Sequence, residues 1–247
     1  MDVIILAGGF ATRMGSLTKD IPKQLLPLGN KTIIDYVLKS IEPLNPIHTF
    51  ISTNSKFVKY FEDFIKNYTG PLSLELIEEE ALAESEKRGA LSSIGDIVVN
   101  RKSKGPLFVV GGDNVSDFDL SKMVKHFEKH QNDTLALYDV QDLSLAKLYG
   151  IVTLDGFKIT NLTEKPTSPS STLASTALWL LSESGQESLI NYLGLDFEKD
   201  SMGAFMAYHC IHSHVDGLVY TDSWFDIGSP EAYQAAIEWT NSEGDLS

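Results

Sequence analysis

Val3, Ile4, Ile5, Leu6 and Ala7 form an unbroken apolar run that ends on Gly8-Gly9. Such a run, without polar alternation, is the pattern of a strand buried on both faces, and the glycines set a tight turn at its end. From Thr32 onward Ile33, Ile34, Val37, Leu38 and Ile41 recur at helical spacing, and Pro43 and Pro46 stop that helix before a strand at 48–53. The three elements make a βαβ unit. A helix at 56–68 carries Phe57, Phe61, Phe64 and Ile65 on one face; Gly70-Pro71 then breaks the chain before a strand at 72–77. A helix at 89–99 leads to a buried strand at 106–110, which ends in Gly111-Gly112-Asp113-Asn114.

After a helix at 120–127 and a strand at 134–140 the pattern changes to two short strands, 150–154 and 158–162, around an Asp155-Gly156 turn. This predicts an antiparallel insertion. Residues 163–172, rich in Pro, Ser and Thr, are too short for an interdomain linker and read as a loop at a site. A strand at 175–181, two amphipathic helices within 183–212 and a strand at 217–220 follow. The last helix starts at Pro230, with Ser229 as N-cap and Glu231 in the first turn. The class is α/β: a Rossmann-like, mixed and mostly parallel central sheet flanked by helices, with a small antiparallel insertion.

The chain has 247 residues, and its 20 Lys and Arg against 34 Asp and Glu leave a net charge of −14. At this length a folded chain buries about 70 to 75% of its surface, enough for a core without disulfides. A single cysteine, Cys210, excludes an intrachain disulfide and fits a reducing compartment. The first apolar run follows Asp2 rather than a basic segment, and no stretch approaches the roughly 18 to 20 apolar residues of a membrane span. A cytoplasmic location is therefore expected. The negative excess disfavours nucleic acid and anionic membranes as partners, so any phosphate ligand needs a local cluster of cations and amides.

Two segments supply such a cluster. In Leu6-Ala7-Gly8-Gly9-Phe10-Ala11-Thr12-Arg13 the turn frees backbone amides for an anion nest, and Arg13 adds a planar charge suited to phosphate oxygens. No Gly-Lys-Ser/Thr follows, so this is not a Walker A loop; Phe10 and Arg13 stand where a dinucleotide fingerprint needs glycine. Ten residues on, Pro22 and Pro27 frame Lys23 in an apolar stretch, fixing the backbone from which it projects.

Leu6 to Arg13, Leu17-Thr18, Pro22-Lys23 and Pro27-Leu28 resemble the signature of the sugar-phosphate nucleotidyltransferases, the NDP-sugar pyrophosphorylases. The resemblance extends through Gly112-Asp113-Asn114, Glu164-Lys165-Pro166 and Trp224-Phe225-Asp226-Ile227-Gly228-Ser229-Pro230, nearly the whole chain. Arg88-Gly89-Ala90, Ile94-Gly95-Asp96 and Leu173-Ala174-Ser175-Thr176 are most similar to glucose-1-phosphate thymidylyltransferase-like members.

The resemblance implies transfer of a nucleotidyl group from an NTP to a sugar 1-phosphate, with dTTP or UTP and glucose 1-phosphate as the first expectation and mannose-1-phosphate guanylylation as the alternative. A non-catalytic nucleotide-sugar sensor is the rival from another class. Arg13 and Lys23 are the implied catalytic residues. Leu6, Ala7, Gly8, Gly9, Arg13, Lys23, Gly89 and Asp113 are implied to bind the nucleotide, and Gly150, Glu164, Lys165 and Ser175 the sugar phosphate. Asp113 and Asp226, each after a strand and beside a glycine or a turn, are implied to hold Mg²⁺. The expected organisation is one domain, 1–247, with a nucleotide part at 1–140, a sugar-phosphate part at 141–228 and a C-terminal helix and tail at 229–247. No hexapeptide β-helix is read, and homo-oligomerisation is left open.

Ala11 replaces the glycine usual in the family's Gly-Thr-Arg, and Ser175 and Ala177 stand where many members have Asn and Gly. Two further clusters have simpler explanations. His209, Cys210, His212 and His214 contain zinc-ligand types without a second ligand pair and are taken as core and surface residues. Glu78-Glu79-Glu80 with Glu84 and Glu86 reads as an acidic helix face near the base site, within reach of a polar contact to the nucleotide.

Overall fold

The computed structural model describes residues 1–86, 88–101 and 104–243; the end of the expected tail, 244–247, lies outside the described residues. The first elements in chain order are β1 (Asp2–Leu6), β2 (Pro27–Leu28), β3 (Lys31–Thr32), α1 (Ile33–Ile41), β4 (Thr49–Asn54), α2 (Val58–Asn67) and β5 (Leu74–Glu79). There follow α3 (Ala90–Asn100), β6 (Leu107–Gly111), β7 (Asn114–Ser116), α4 (Ser121–His130), β8 (Asp133–Asp139), α5 (Leu143–Ala146), β9 (Gly150–Asp155) and β10 (Lys158–Glu164). β11 (Leu173–Leu181), α6 (Glu183–Leu193), α7 (Met202–His212), β12 (Val215–Tyr220), β13 (Trp224–Asp226) and α8 (Pro230–Glu243) complete the order. The α/β class holds.

The chain groups into two compact units. One comprises Val3–Lys87, Val110–Leu120 and Asp222–Ser247; the other Met1–Asp2, Arg88–Val109 and Ser121–Thr221. Residues 88–109 group with the later strands.

In the first unit β4 pairs in parallel with β1, from Val3↔Thr49 to Leu6↔Ser52, and with β5, from Thr49↔Leu74 to Asn54↔Glu79. Every residue of β4 is buried, which explains its continuous apolar and hydroxyl-bearing sequence. α1 is started by a capping box in which the Thr32 backbone N–H donates to Asp35. A core of Met14, Leu26, Leu28, Ile33, Tyr36, Val115, Ile227, Ala236 and Trp239 joins the N-terminal loops to α1, β7 and α8. That core fixes the backbone on either side of Lys23, Asp113 and Asp226.

The second unit is mixed. β8 pairs in parallel with β12 and antiparallel with β11, while β9 and β10 form the expected hairpin around Asp155 and Gly156. Gly156 has φ +60°, the left-handed conformation that such a turn requires. The loop expected from residue 163 is shorter than read: β10 continues to Glu164 and β11 begins at Leu173, because both segments complete ladders with β9 and β8.

Candidate active site

The loop after β1 is held by the end of β4. The Ala7 N–H donates to the Ser52 carbonyl at 2.7 Å, the Asn54 amide to the Gly8 carbonyl at 2.9 Å, and the Thr53 hydroxyl to the Ala7 carbonyl at 3.3 Å. Glu79, the last residue of β5, accepts from the Ser52 hydroxyl at 2.8 Å and lies against Gly8, where a Cβ would come within 3.0 Å of its carboxyl carbon. Gly8 is glycine because that carboxylate occupies the side-chain position. Glu78 and Glu79 thus end a strand rather than line a helix, since β5 continues alongside β4 and the hydroxyls of Ser52 and Ser55 supply partners.

Past Gly9 the chain turns through Ala11 at φ +49°, ψ +40°, into a 3₁₀ helix, Thr12–Thr18. The Ala11 carbonyl accepts from the Met14 N–H and from the Thr18 hydroxyl, both at 2.9 Å. Arg13 is exposed on this turn, and among the described residues no side chain pairs with it.

A second 3₁₀ turn, Lys23–Leu25, follows Pro22 and buries the lysine stem. Lys23 Nζ donates to Asp113 Oδ2 at 2.5 Å. Asp113 is put there by its neighbours. The Gly112 N–H donates to the Leu6 carbonyl at 2.9 Å, with no room for a Cβ against that oxygen, so Asp113 emerges beside the end of β1. The Asn114 amide donates to Asp113 Oδ1 at 3.1 Å, and Asn114 Oδ1 accepts from the Trp224 indole at 3.0 Å. Burial alone would raise the Asp113 carboxyl, but the Lys23 ammonium and the hydrogen bonds from Lys23 and Asn114 outweigh it and hold it below the usual carboxylate range.

β7 and β13 form an antiparallel ribbon absent from the sequence reading, with Asp226 opposite Asn114. The Ile227 N–H donates to the Asp113 carbonyl at 3.0 Å. The two carboxylates that are far apart in sequence are therefore neighbours at one end of a ribbon, and both offer the hard oxygen donors that Mg²⁺ takes. Among the described residues no group of three or more His, Cys, Asp or Glu is arranged to hold a metal. This includes the histidine-rich segment: His209 is buried against Asp133 at 2.6 Å and Ser188 at 2.9 Å, and His214 bonds Asp216 at 2.9 Å.

The second unit brings Gly150, Glu164 and Ser175 together. Gly150 pairs with Glu164 across the β9–β10 hairpin, and a Cβ on Gly150 would lie 2.8 Å from Glu164 Oε1 and 3.5 Å from the Ser175 Cβ. Gly203, in the first turn of α7, gives the same carboxylate space that a Cβ would fill. Nothing in the sequence around Gly203 points to this. Burial raises the Glu164 carboxyl, with Lys165 opposing and Glu198 reinforcing the shift. Lys165 is exposed in the left-handed region at φ +41°, its N–H held by the Tyr149 carbonyl at 3.0 Å. Gly89 belongs to this second unit as N-cap of α3 at φ +92°, where a Cβ would collide with the backbone of Lys199 and Asp200. Its glycine has a packing reason apart from any nucleotide.

The sequence of residues 2–243 matches the model of the nucleotidyl transferase family. The chain belongs to that family. It is 28% identical over 240 residues to a Sulfolobus acidocaldarius protein assigned as a mannose-1-phosphate guanyltransferase, covering 94% of this chain and 61%, less than two thirds, of that protein. It is 27% identical to the D-glycero-alpha-D-manno-heptose 1-phosphate guanylyltransferase of Campylobacter jejuni, covering 94% of this chain and 97% of that one. A Bacillus anthracis structure assigned as a glucose-1-phosphate thymidylyltransferase superposes with a TM-score of 0.85 at 20% identity, over 100% of this chain and 96% of that one. A UDP-glucose pyrophosphorylase bound to UDP-glucose superposes with a TM-score of 0.83 at 19% identity, covering 98% and 99%. These two likenesses show the fold. Among the described residues no helix is long and apolar enough to cross a membrane.

Proposed function

We propose that this nucleotidyl transferase makes an NDP-sugar and pyrophosphate from an NTP and a sugar 1-phosphate, with GTP and a manno-configured sugar 1-phosphate as substrates. The observation that carries the reaction class is the pairing of Lys23 with Asp113 beside the Gly8-Gly9 loop and the exposed Arg13. A phosphate oxygen of the sugar 1-phosphate attacks the α-phosphorus. The bond from that phosphorus to the α,β-bridging oxygen breaks, and its electron pair leaves with pyrophosphate. The nucleophile is already ionised, so positioning and charge neutralisation suffice and no general base is needed.

The amides of the Gly8-Gly9 turn bind the nucleotide. Arg13 and Lys23 neutralise charge that grows on the phosphates. Glu164 takes a sugar hydroxyl and Lys165 the sugar phosphate, while Gly150 leaves room for the Glu164 carboxylate. Asp113 and Asp226 would hold Mg²⁺, which supplies further neutralisation at the phosphate oxygens; one or two carboxylates plus phosphates are a sufficient ligand set for that ion. The presence of Arg13, Lys23, Asp113, Lys165 and Asp226 together favours catalysis over a sensor that binds without turnover.

Glu79 supports guanine. A carboxylate accepts hydrogen bonds only, and guanine presents two adjacent donors, N1–H and N2–H, whereas thymine and uracil present one donor between two carbonyls that repel it. The guanylyltransferase relatives point the same way. Pyrophosphate release measured for GTP, dTTP, UTP, CTP and ATP against mannose, glucose, galactose and N-acetylglucosamine 1-phosphates, with Asp113→Asn as control, tests the reading. GTP with mannose 1-phosphate is the expected pair; dTTP or UTP with glucose 1-phosphate, the first expectation of the sequence, would refute the guanine assignment and keep the reaction.

A further inference from the structure

Asp133, His209 and Ser188 form a chain of contacts inside the second unit. His209 Nε2 bonds Asp133 Oδ2 at 2.6 Å and its Nδ1 bonds the Ser188 hydroxyl at 2.9 Å, so one ring on α7 ties β8 to α6. Asp133 is fixed in turn: the Ser182 N–H, at the start of α6, donates to Oδ1 at 2.6 Å, and a Cβ on Gly185 would overlap the carboxylate. A serine, a histidine and an aspartate in contact in that order have the make-up of a hydrolase triad. His209 is 1% exposed and Asp133 4%, however, so no substrate reaches the imidazole, and the three residues act on the elements around them.

What they hold is α7. The His209 ring stacks on Phe205 with centroids 5.3 Å apart and planes at 15°, and Phe205 meets Trp179 of β11 at 5.9 Å and Tyr192 of α6 at 5.4 Å. Apolar packing of this kind is non-directional and lets a helix slide a little; hydrogen bonds at both nitrogens of one ring are directional and do not. At its other end α7 starts at Ser201, whose hydroxyl accepts from the Ala204 N–H at 3.1 Å. α7 packs along β10, and Gly203 in its first turn leaves the space that the Glu164 carboxylate fills. Gly203 and His209 are less than two turns apart on one helix, a rigid element that carries a shift at one residue to the other.

Resting on the proposed nucleotidyl transfer and its assignment of Glu164 to a sugar hydroxyl, we propose that His209 is a positioning residue for the sugar 1-phosphate. Held by Asp133 and Ser188, it fixes the register of α7 on β10 and thereby the seat of the Glu164 carboxylate. The histidine-rich segment, whose residue types suggest zinc, thus serves sugar binding without touching the sugar.

The test is steady-state kinetics of the full chain with Mg²⁺ and the best pair of the substrate panel, expected to be GTP and mannose 1-phosphate, for Ser188→Ala and His209→Gln, each alone and combined with Glu164→Ala. Ser188→Ala removes one bond and leaves Asp133 paired; His209→Gln keeps a donor toward Asp133 and removes the ring. In each, KM for the sugar 1-phosphate is expected to rise about 3- to 10-fold, the size of one misplaced hydrogen bond, with KM for the NTP within about 2-fold. Glu164→Ala alone raises the same KM, and beside it neither second substitution adds more than about 2-fold, because the group they aim is gone. An unchanged KM in both single variants, an equal rise for both substrates, or a rise that persists undiminished beside Glu164→Ala would overturn the inference. So would an unchanged KM in Glu164→Ala, with nucleotidyl transfer left standing. Folded wild-type protein that turns over no NTP with any sugar 1-phosphate would overturn both. Ser188 is half-buried, so Ser188→Ala decides the question by itself if His209→Gln does not fold.

Discussion

Lys23 and Asp113, ninety residues apart, meet at 2.5 Å, the lysine from a proline-led turn and the aspartate from the ribbon that also carries Asp226. The pair links the proposed phosphate-binding lysine to a proposed metal ligand, so each charge is held in place by the other. Lys23→Met removes the proposed phosphate-binding cation and leaves Asp113 without that partner. Turnover should fall about 10² to 10⁵-fold, as for other lost transition-state donors. Stability should fall by about 1 to 3 kcal/mol, and the double variant with Asp113→Asn should recover part of it, because the uncompensated charge is then gone. Chemical denaturation of the three variants checks this; additive losses would contradict the pairing.

Arg13→Ala is expected to lower turnover about 10² to 10⁵-fold with little change in stability, since the guanidinium is exposed and pairs with no described residue. Steady-state kinetics alongside a melting curve separate the two effects. Near-normal turnover would remove Arg13 from the mechanism.

Ala11 sits at φ +49°, ψ +40°, where its methyl group costs about 1 to 2 kcal/mol relative to glycine's freedom. Part of that cost is offset by its packing against the core around Met14 and Tyr36. Ala11→Gly should therefore stabilise the protein by about 0.5 to 1 kcal/mol, raising Tm by roughly 1 to 4 °C. A lower Tm would mean that the methyl contact outweighs the backbone strain.

Glu164 is aimed by two glycines that leave it room, Gly150 opposite it and Gly203 in α7. Gly203→Ala must displace the carboxylate. KM for the sugar 1-phosphate is expected to rise about 10-fold or more, with KM for the NTP within about 2-fold, as lost orientation at one substrate predicts. Equal effects on both substrates would show general damage instead.

The placement of these residues was partly legible in the sequence. The apolar run that forms β1 and ends on Gly8-Gly9, and the proline-led turn at Lys23, follow from short-range spacing and turn chemistry. The ribbon of β7 and β13 was not legible: strands of three residues carry no periodicity, and their pairing is decided by the Asn114–Trp224 contact and the core around Val115 and Ile227. Gly203 escaped for a related reason, since a glycine in an ordinary helical stretch gains its meaning only from Glu164 packing on it. Glu78 and Glu79 end a strand instead of lining a helix, because charge alone does not distinguish a helix face from a strand whose carboxylates find the hydroxyls of Ser52 and Ser55.

Asp216 offers a test of acid behaviour away from the proposed chemistry. It accepts from His126 at 2.8 Å, His214 at 2.9 Å and Asn132 at 3.1 Å. Burial would raise its carboxyl, but those hydrogen bonds and the nearby His214 hold it below the usual range. Its ionised form is thus favoured in the folded state: the stabilisation is present above the unfolded carboxylate pKa of about 4 and is lost as pH falls through the lower folded value. Asp216→Asn should be less stable than wild type near neutrality, and the gap should close below about pH 4. A constant gap across an acid titration would contradict this.

The most direct test of the central claim follows the α-phosphorus itself. With GTP labelled at the α-phosphate, mannose 1-phosphate and Mg²⁺, the label should appear in a GDP-sugar with unlabelled pyrophosphate released in equal amount, and Asp113→Asn should abolish both. Label recovered as GMP or free phosphate, or no turnover with any NTP and sugar 1-phosphate from folded protein, would contradict nucleotidyl transfer.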